Sequence, residues 1–322
     1  MTEYVKQIPG IHHITAMCGD PQTNIDFYTG VLGLRLIKAT VNFDDPGTYH
    51  LYYGDESGSP GTVLTFFAWP GAHNGRFGLG QALSCSYSIP PGSFDYWMNR
   101  LKEFGIGFEG PQRRFDEEFL TFRDPDGLLL ELVEHNYKDD RVGWISGSVS
   151  RESAIRGFHS VSAVERQTEP TSKFLAESMG FNLIQESNGI VRLASGHGGS
   201  GAFIDLHGSN REFQGQIGVG SYHHIAWRTP NDEDHKAWKE TIAASGHFVT
   251  PIIDRFYFHS IYFREPGGVL FEIATDQPGF AVDEPADKFG KEIKLPPWFE
   301  SDRSKILQKL PPLDLKKVEQ FQ

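Results

Sequence analysis

Two His-His-Ile triplets stand at opposite ends of this chain, at 12–14 in GIHHIT and at 223–225 in SYHHIAW. Both lie in segments that read as β-strands. Side chains alternate faces along a strand, so His13 shares a face with Ile11 and Thr15, and His224 shares one with Tyr222 and Ala226. His12 and His223 turn to the opposite faces. A third strand, LFEIATD, carries Glu272 among apolar residues. Burying a carboxylate without a partner is costly, and metal ligation supplies a reason for one. His13, His224 and Glu272 then form a two-His, one-carboxylate set drawn from three strands. Such a set leaves coordination positions open and suits non-haem Fe(II) that handles O2, with Mn(II) as a second candidate occupant.

The elements that must position these residues repeat. A short strand, a helix with a Pro-containing start, and then further strands recur four times. In the first copy Asp20 can cap a helix, Pro21 fits its first turn, and Gly30 and Gly33 close it. The second copy starts at LSCSYSIPPG, the third at GFHSVSAVE and the fourth at YHHIAWRTP. Each reads β-α-β-β-β. The fold class is therefore α+β, with four βαβββ modules paired into two domains with open, barrel-like clefts, because one curved sheet alone leaves its apolar face uncovered. The expected division is 1–155, 156–282 and a Pro-rich tail 283–322, with the linker at 140–153. The tail is expected to pack along the surface, with one short helix near SDRSKILQKL.

Comparing the copies makes the second cleft different. Ser160 falls where His13 and His224 stand, and the second copy offers Ser86 and Glu131. No His lies at a ligand position there, so this cleft is expected to have lost any metal site. At the position of Glu272, the first copy has Thr65 and the third has Asp205 or a neighbour. His50, His73, His135, His197, His207, His235 and His247 read mostly as solvated groups on loops and strand edges.

Composition narrows the function classes. The chain has 322 residues, 39% hydrophobic and 22% charged, with a formal net charge of −12. That balance suits a soluble globular protein. It argues against nucleic acid and anionic membrane partners, which need basic clusters. Cys18 and Cys85 sit inside strands without CxxC spacing and read as buried, reduced thiols. MTEYVKQIPG lacks the pattern of a signal peptide, and no apolar run approaches a spanning helix. The expected location is the cytoplasm, and homo-oligomerisation is left open.

The βαβββ units, the helix sequence FYTGVLGL and the last-strand Glu resemble the vicinal oxygen chelate superfamily, which includes glyoxalase and extradiol dioxygenases. The segments HHIT, YHLYYGDESGSPGTVLTFF, HHIAW, DRFYFHSIYFREPGGVLFEIATDQPGF and the tail LPPWFE…LPPL resemble, more narrowly, its hydroquinone-cleaving ring dioxygenases. The resemblance covers essentially the whole chain. It implies Fe(II)- or Mn(II)-dependent, extradiol-type cleavage of a small aromatic substrate with O2. It also implies that His13, His224 and Glu272 hold the metal, with His12, Thr15, His223, Arg255 and Tyr262 around it. In that reading Arg255 stabilises anionic character and Tyr262 gives a hydrogen bond or a proton to the oxygen species. Thr15 agrees with the strand alternation. His12 and His223 do not, unless a bulge turns them back. Trp69, Phe256 and Phe258 are expected to line an aromatic pocket.

Two other readings compete. A glyoxalase-like isomerase would use a second carboxylate as a fourth ligand, and TVLTFFAW has none near Thr65. A non-catalytic binding protein of the same superfamily would lack the triad.

Overall fold

A computed structural model describes residues 7–145 and 148–320. Residues 146 and 147 of the expected linker, and the first six residues of the N-terminal segment read for a signal, lie outside it.

All four modules form as β-α-β-β-β. The first holds β1 (Ile11–Cys18), α1 (Pro21–Ile25, continued as a π-turn to Val31), β2 (Arg35–Val41), β3 (Tyr49–Gly54) and β4 (Val63–Ala68). The second holds β5 (Gln81–Ser88), α2 (Phe94–Glu103), β6 (Phe108–Arg114), β7 (Glu117–Arg123) and β8 (Leu129–Glu134). The third holds β9 (Gly157–Glu165), α3 (Glu169–Met179), β10 (Asn182–Ser187), β11 (Ile190–Ala194) and β12 (Phe203–Gly208). The fourth holds β13 (Tyr222–Thr229), α4 (Asp232–Ala244), β14 (Ile253–Asp254), β15 (Phe258–Arg264) and β16 (Leu270–Pro278). The local signals act as read. Asp20 accepts the Thr23 amide at 2.7 Å to cap α1, and Asn231 does the same for the Asp234 amide at 2.9 Å at the start of α4.

The modules pair across the chain rather than along it. One curled eight-stranded sheet has the order β14-β15-β16-β13-β1-β4-β3-β2, and the other β10-β11-β12-β9-β5-β8-β7-β6. The halves proposed from the sequence, 1–155 and 156–282, thus each supply one module to each sheet. The joints are the antiparallel pairs β1·β13 and β5·β9. Ile14 and Ile225 oppose each other at the first joint, and both are fully buried in the helix-covered core. The segments that cross between sheets run side by side, and they need glycine. A Cβ on Gly78 would meet Gly215 N at 2.6 Å, and one on Gly218 would meet Gly75 N at 2.6 Å.

The tail does more than lie on the surface. Its α5 (Arg303–Lys309) forms near the expected place. Its Phe289, together with Phe280 just ahead of the tail, inserts into the first sheet's interior beside Ile37, Tyr52, Val63 and Tyr257. The fully buried Lys38 ammonium meets Asp283 at 2.6 Å and Glu284 at 2.5 Å. A buried ammonium demands such partners, so the acidic run that follows β16 is held in place by the sheet itself.

Candidate metal centre and aromatic cavity

His13, His224 and Glu272 converge although they come from β1, β13 and β16. Glu272 Oε2 lies 2.9 Å from His224 Nε2 and 3.3 Å from His13 Nε2, and the two Nε2 atoms are 3.3 Å apart. All three residues are buried. Metal–ligand bonds of about 2.1 Å put neighbouring donor atoms about 3.0 Å apart at right angles and about 3.4 Å apart in a tetrahedron. The observed separations of 2.9, 3.3 and 3.3 Å match three neighbouring ligand positions around one metal ion. Glu272 Oε1 accepts the Ser260 hydroxyl, while Oε2 has no aligned hydrogen-bond donor among the described residues. Burial alone would raise the Glu272 carboxyl, but His13 and His224 hold it well below the ordinary carboxylate range. It is a carboxylate, aimed with two imidazoles at one point. The donor set fits a divalent metal ion.

Two bulges explain why both histidines of each doublet reach this site. In the β1·β13 ladder, Ile11 pairs with Trp227 and His13 with Ala226, so His12 is an extra residue. Further on, Thr15 pairs with His224 and Ala16 with Tyr222, so His223 is extra on the other strand. A bulge breaks strict alternation. His12 and His223 therefore do not turn away, as alternation alone predicts. His12 Nδ1 lies 2.8 Å from His13 Nδ1, and His223 Nδ1 lies 2.8 Å from His224 Nδ1.

The first of these contacts settles tautomers. Thr275 O can only accept, and it lies 3.1 Å from His12 Nε2, so Nε2 carries the proton. Burial and the neighbouring His13 push His12 well below the usual imidazole range, so its Nδ1 is bare. His13 Nδ1–H must donate to it. His13 Nε2 then faces Glu272 and His224, where it can carry a proton toward the carboxylate or, with that proton displaced, ligate a metal.

A cavity of about 240 Å³ opens beside the triad. His13, Thr15, His223, His224, Arg255, Tyr262, Phe258 and Trp69 line it, with His50, Tyr52 and Phe67 from the first module's wall. Phe256 is not among its walls. It stands against Tyr257 and Trp298, with ring centroids 5.1 and 5.8 Å away. Arg255 donates from Nε to the Tyr262 hydroxyl at 3.2 Å and pairs with Asp44 at 2.8 Å, not with Asp254. Tyr262 pairs with Glu272 in the β15·β16 ladder, and burial, then Glu272, raise its phenol.

His50 is the residue that the sequence reading missed. Its Nε2 lies 2.9 Å from Thr65 Oγ1, and its Nδ1 lies 2.8 Å from the Tyr52 hydroxyl. Its signal was the one used for His13: a polar side chain inside an apolar strand, at an alternate position. His135 and His235 are also buried rather than solvated. His135 meets Ser88 at 2.9 Å, and His235, on α4, meets Ile273 O at 2.8 Å, pinning the helix to the strand that carries Glu272.

The second sheet repeats the geometry without the chemistry. Leu83 and His159 are its extra bulge residues, because Ala82 and Ser84 pair with Ala163 and Ser162, and Ser86 and Tyr87 with Ser160 and Phe158. This register puts Ser84, not Ser86, at the position of His13. Ser160 stands at that of His224, Glu131 at that of Thr65, and Asp205 at that of Glu272. Arginines occupy the middle. Arg114 reaches Glu131 at 2.7 Å and Asp205 at 3.2 Å, and Arg192 reaches Asp205 and Glu117 at 2.6 Å each. The cavity on this side is larger, about 860 Å³, but Glu131 in its wall is consumed by the Arg114 guanidinium. Among the described residues only His13, His224 and Glu272 form a group suited to a metal ion.

Both halves of the chain, residues 10–132 and 157–273, match the family model of the Glyoxalase/Bleomycin resistance protein/Dioxygenase superfamily. The chain is 46% identical over 314 residues to "Putative ring-cleaving dioxygenase MhqO" of Bacillus subtilis, covering 98% of this chain and 99% of that one. It is 33% identical over 316 residues to the chlorohydroquinone/hydroquinone 1,2-dioxygenase of Sphingobium indicum, covering 96% and 98%. A crystal structure of a "putative dioxygenase" from Bacillus subtilis superposes with a TM-score of 0.91 at 46% identity, covering 97% of this chain and 99% of that one. Glyoxalase I from Zea mays superposes at 0.61 with 14% identity, over 83% of this chain and 92% of that one, which is a likeness of fold alone.

Proposed function

The chain belongs to the Glyoxalase/Bleomycin resistance protein/Dioxygenase superfamily, and from that premise we propose that it is a metal-dependent dioxygenase that opens the ring of hydroquinone-type, or catechol-type, aromatic compounds with O2. The observation that carries this reading is the position of Thr65. It stands where a symmetric site would place a second carboxylate, so the ligand set stops at His13, His224 and Glu272. A three-ligand set leaves room for both a substrate oxygen and O2. The full-length relationship to a named hydroquinone dioxygenase supports the substrate class.

In this proposal His13, His224 and Glu272 hold Fe(II), with Mn(II) as the second candidate. When bound, the metal supplies Lewis acidity toward a phenol oxygen and a redox-capable centre with open positions. The protein does the rest. His12 fixes the His13 tautomer and ring orientation, and His223 supports His224 in the same way. Tyr262, tied to Arg255, offers a hydroxyl to charge that develops on oxygen. Phe258 and Phe67 give flat apolar walls for a ring. Hydroquinone hydroxyls are para, so the bond that breaks lies beside one hydroxyl carbon rather than between two. In that sense the proposed cleavage is of extradiol type.

We also propose a cytoplasmic location. Among the described residues no helix is long and apolar enough to cross a membrane.

Anaerobic reconstitution with Fe(II) or Mn(II), followed by O2-uptake assays over a panel of hydroquinones and catechols, tests the reading. O2 consumption with both atoms recovered in a ring-opened acid is the expected result. A loaded protein that consumes no O2 with any diol, and that instead isomerises a thiohemiacetal or only binds the ring, overturns it.

A further inference from the structure

Thr65, the residue that replaces a fourth ligand, is the hub of a hydrogen-bond chain. Its Oγ1 lies 2.9 Å from Thr15 Oγ1 and 2.9 Å from His50 Nε2, and His50 Nδ1 lies 2.8 Å from the Tyr52 hydroxyl. Thr15 and Thr65 are fully buried, and Tyr52 is nearly so. Thr15, His50 and Tyr52 all line the cavity beside the triad. The chain thus leaves the cavity next to His224, the ladder partner of Thr15, and returns to it at Tyr52. A wall that only had to be apolar would not carry four hydrogen-bonding side chains in a row, three of them buried.

We propose that Thr15, Thr65, His50 and Tyr52 form a neutral proton wire that moves the hydroxyl proton of the aromatic diol away from the triad, to the Tyr52 hydroxyl elsewhere on the wall of the same cavity. The diol is taken from the function proposed above. Three hydroxyls and one neutral imidazole hold four mobile protons between them, and three bonds use three. The spare donor sits at one end or the other, so the chain has two polarities. In the first, Thr15 accepts from the diol, Thr65 donates to His50 Nε2, and His50 Nδ1–H donates to Tyr52. When the diol O–H bond breaks, its proton passes to Thr15, the Thr15 proton to Thr65, and the Thr65 proton to Nε2. The Nδ1 proton passes to Tyr52, and the Tyr52 proton passes to water. The diol is left as an anion with the Thr15 hydroxyl now donating to it. Every protein group is neutral before and after. Burial holds His50 well below the ordinary imidazole range, so it is suited to hand a proton on and not to keep one.

The first readout needs no turnover. Hydroquinone is added anaerobically to the metal-loaded protein, and the pH at which the bound diol ionises is read from its ultraviolet phenol-to-phenolate shift. Thr65→Val keeps the branched shape and removes the hub. It is expected to bind metal like the parent but to raise that ionisation by about one pH unit, since the anion loses an oriented donor. Turnover is expected to fall about 10²-fold in kcat with little change in KM. Thr65→Ser should restore both. His50→Gln, which keeps polar atoms on the same wall, gives a second break if Thr65→Val folds poorly. A parental ionisation profile and parental kcat in both Thr65→Val and His50→Gln would overturn the wire. A parent that ionises the diol yet takes up no O2, with that ionisation raised in Thr65→Val and restored in Thr65→Ser, would overturn the dioxygenase reading and support the wire.

Discussion

His12 and His13 are consecutive on one strand, yet their Nδ1 atoms lie 2.8 Å apart. The bulge at His12 makes this contact, and the Thr275 carbonyl makes it directional. In the proposed site His12 thus acts as a tautomer lock on His13. Partners of this kind typically change metal affinity 10–100-fold. His12→Phe keeps a flat ring against Phe258 and removes the acceptor. Its affinity for Fe(II) or Zn(II), measured by chelator competition, is expected to fall by about that factor. An unchanged affinity would show that His13 needs no such partner.

Loss of a ligand should do more. His13→Ala, His224→Ala and Glu272→Gln are each expected to abolish stoichiometric metal binding and O2 uptake together. Metal analysis after reconstitution checks this. Full metal content with turnover in any one of the three removes that residue from the ligand set.

A second buried carboxylate pair sets a pH dependence of stability. Glu165 ends β9 in one sheet, and Glu265 lies in the turn before β16 in the other. Glu265 accepts from the Gly267 amide at 2.7 Å and the Val269 amide at 2.5 Å, whereas neither Glu165 oxygen has a partner among the described residues. Burial, then Glu265, pushes the Glu165 carboxyl up to about 9. The folded state therefore binds a proton that the unfolded chain releases near the ordinary carboxylate range. The stabilisation is complete below that range and is lost as pH rises toward about 9. Thermal unfolding should shift down between pH 5 and 9 in the parent and less so in Glu165→Gln. Equal pH slopes in the two proteins would mean that the pair is not linked to folding.

The arginines of the second sheet predict a purely structural effect. Arg192 is almost fully buried between Asp205 and Glu117. Arg192→Met leaves two carboxylates without it, and removing one partner of a buried pair costs about 3–5 kcal/mol. Urea unfolding should show that loss while metal stoichiometry stays at the parental value. A change in metal content would tie this sheet to the metal centre.

Much of the site was legible before any coordinates. Glu272 stood out because a charge amid Leu270, Phe271 and Ile273 needs a partner. The matching triplets made His13 and His224 a pair. Ser86 was offered in the place that Ser84 holds because the second copy has no His to set the register, and a step of two along a strand keeps the same face. The resemblance named His12 and His223 while alternation turned them away, and His159 went unread, because a bulge leaves no mark in hydrophobic alternation. His50, His135 and His235 were taken as solvated, since an isolated polar residue carries no sign of a distant partner.

By itself the sequence determined the four modules, the residue types at the candidate site and the absence of a carboxylate at residue 65. These are local properties, written in strand alternation, turn residues and side-chain chemistry. The tertiary structure decided which modules share a sheet, because the pairing of β1 with β13 joins strands that no local pattern relates. It also decided that the tail fills the first sheet's interior, and that two arginines fill the place of a metal in the second. Those outcomes depend on burial. A buried ammonium, guanidinium or carboxylate takes whichever opposite charge the fold brings within reach, and that partner lies far away in sequence.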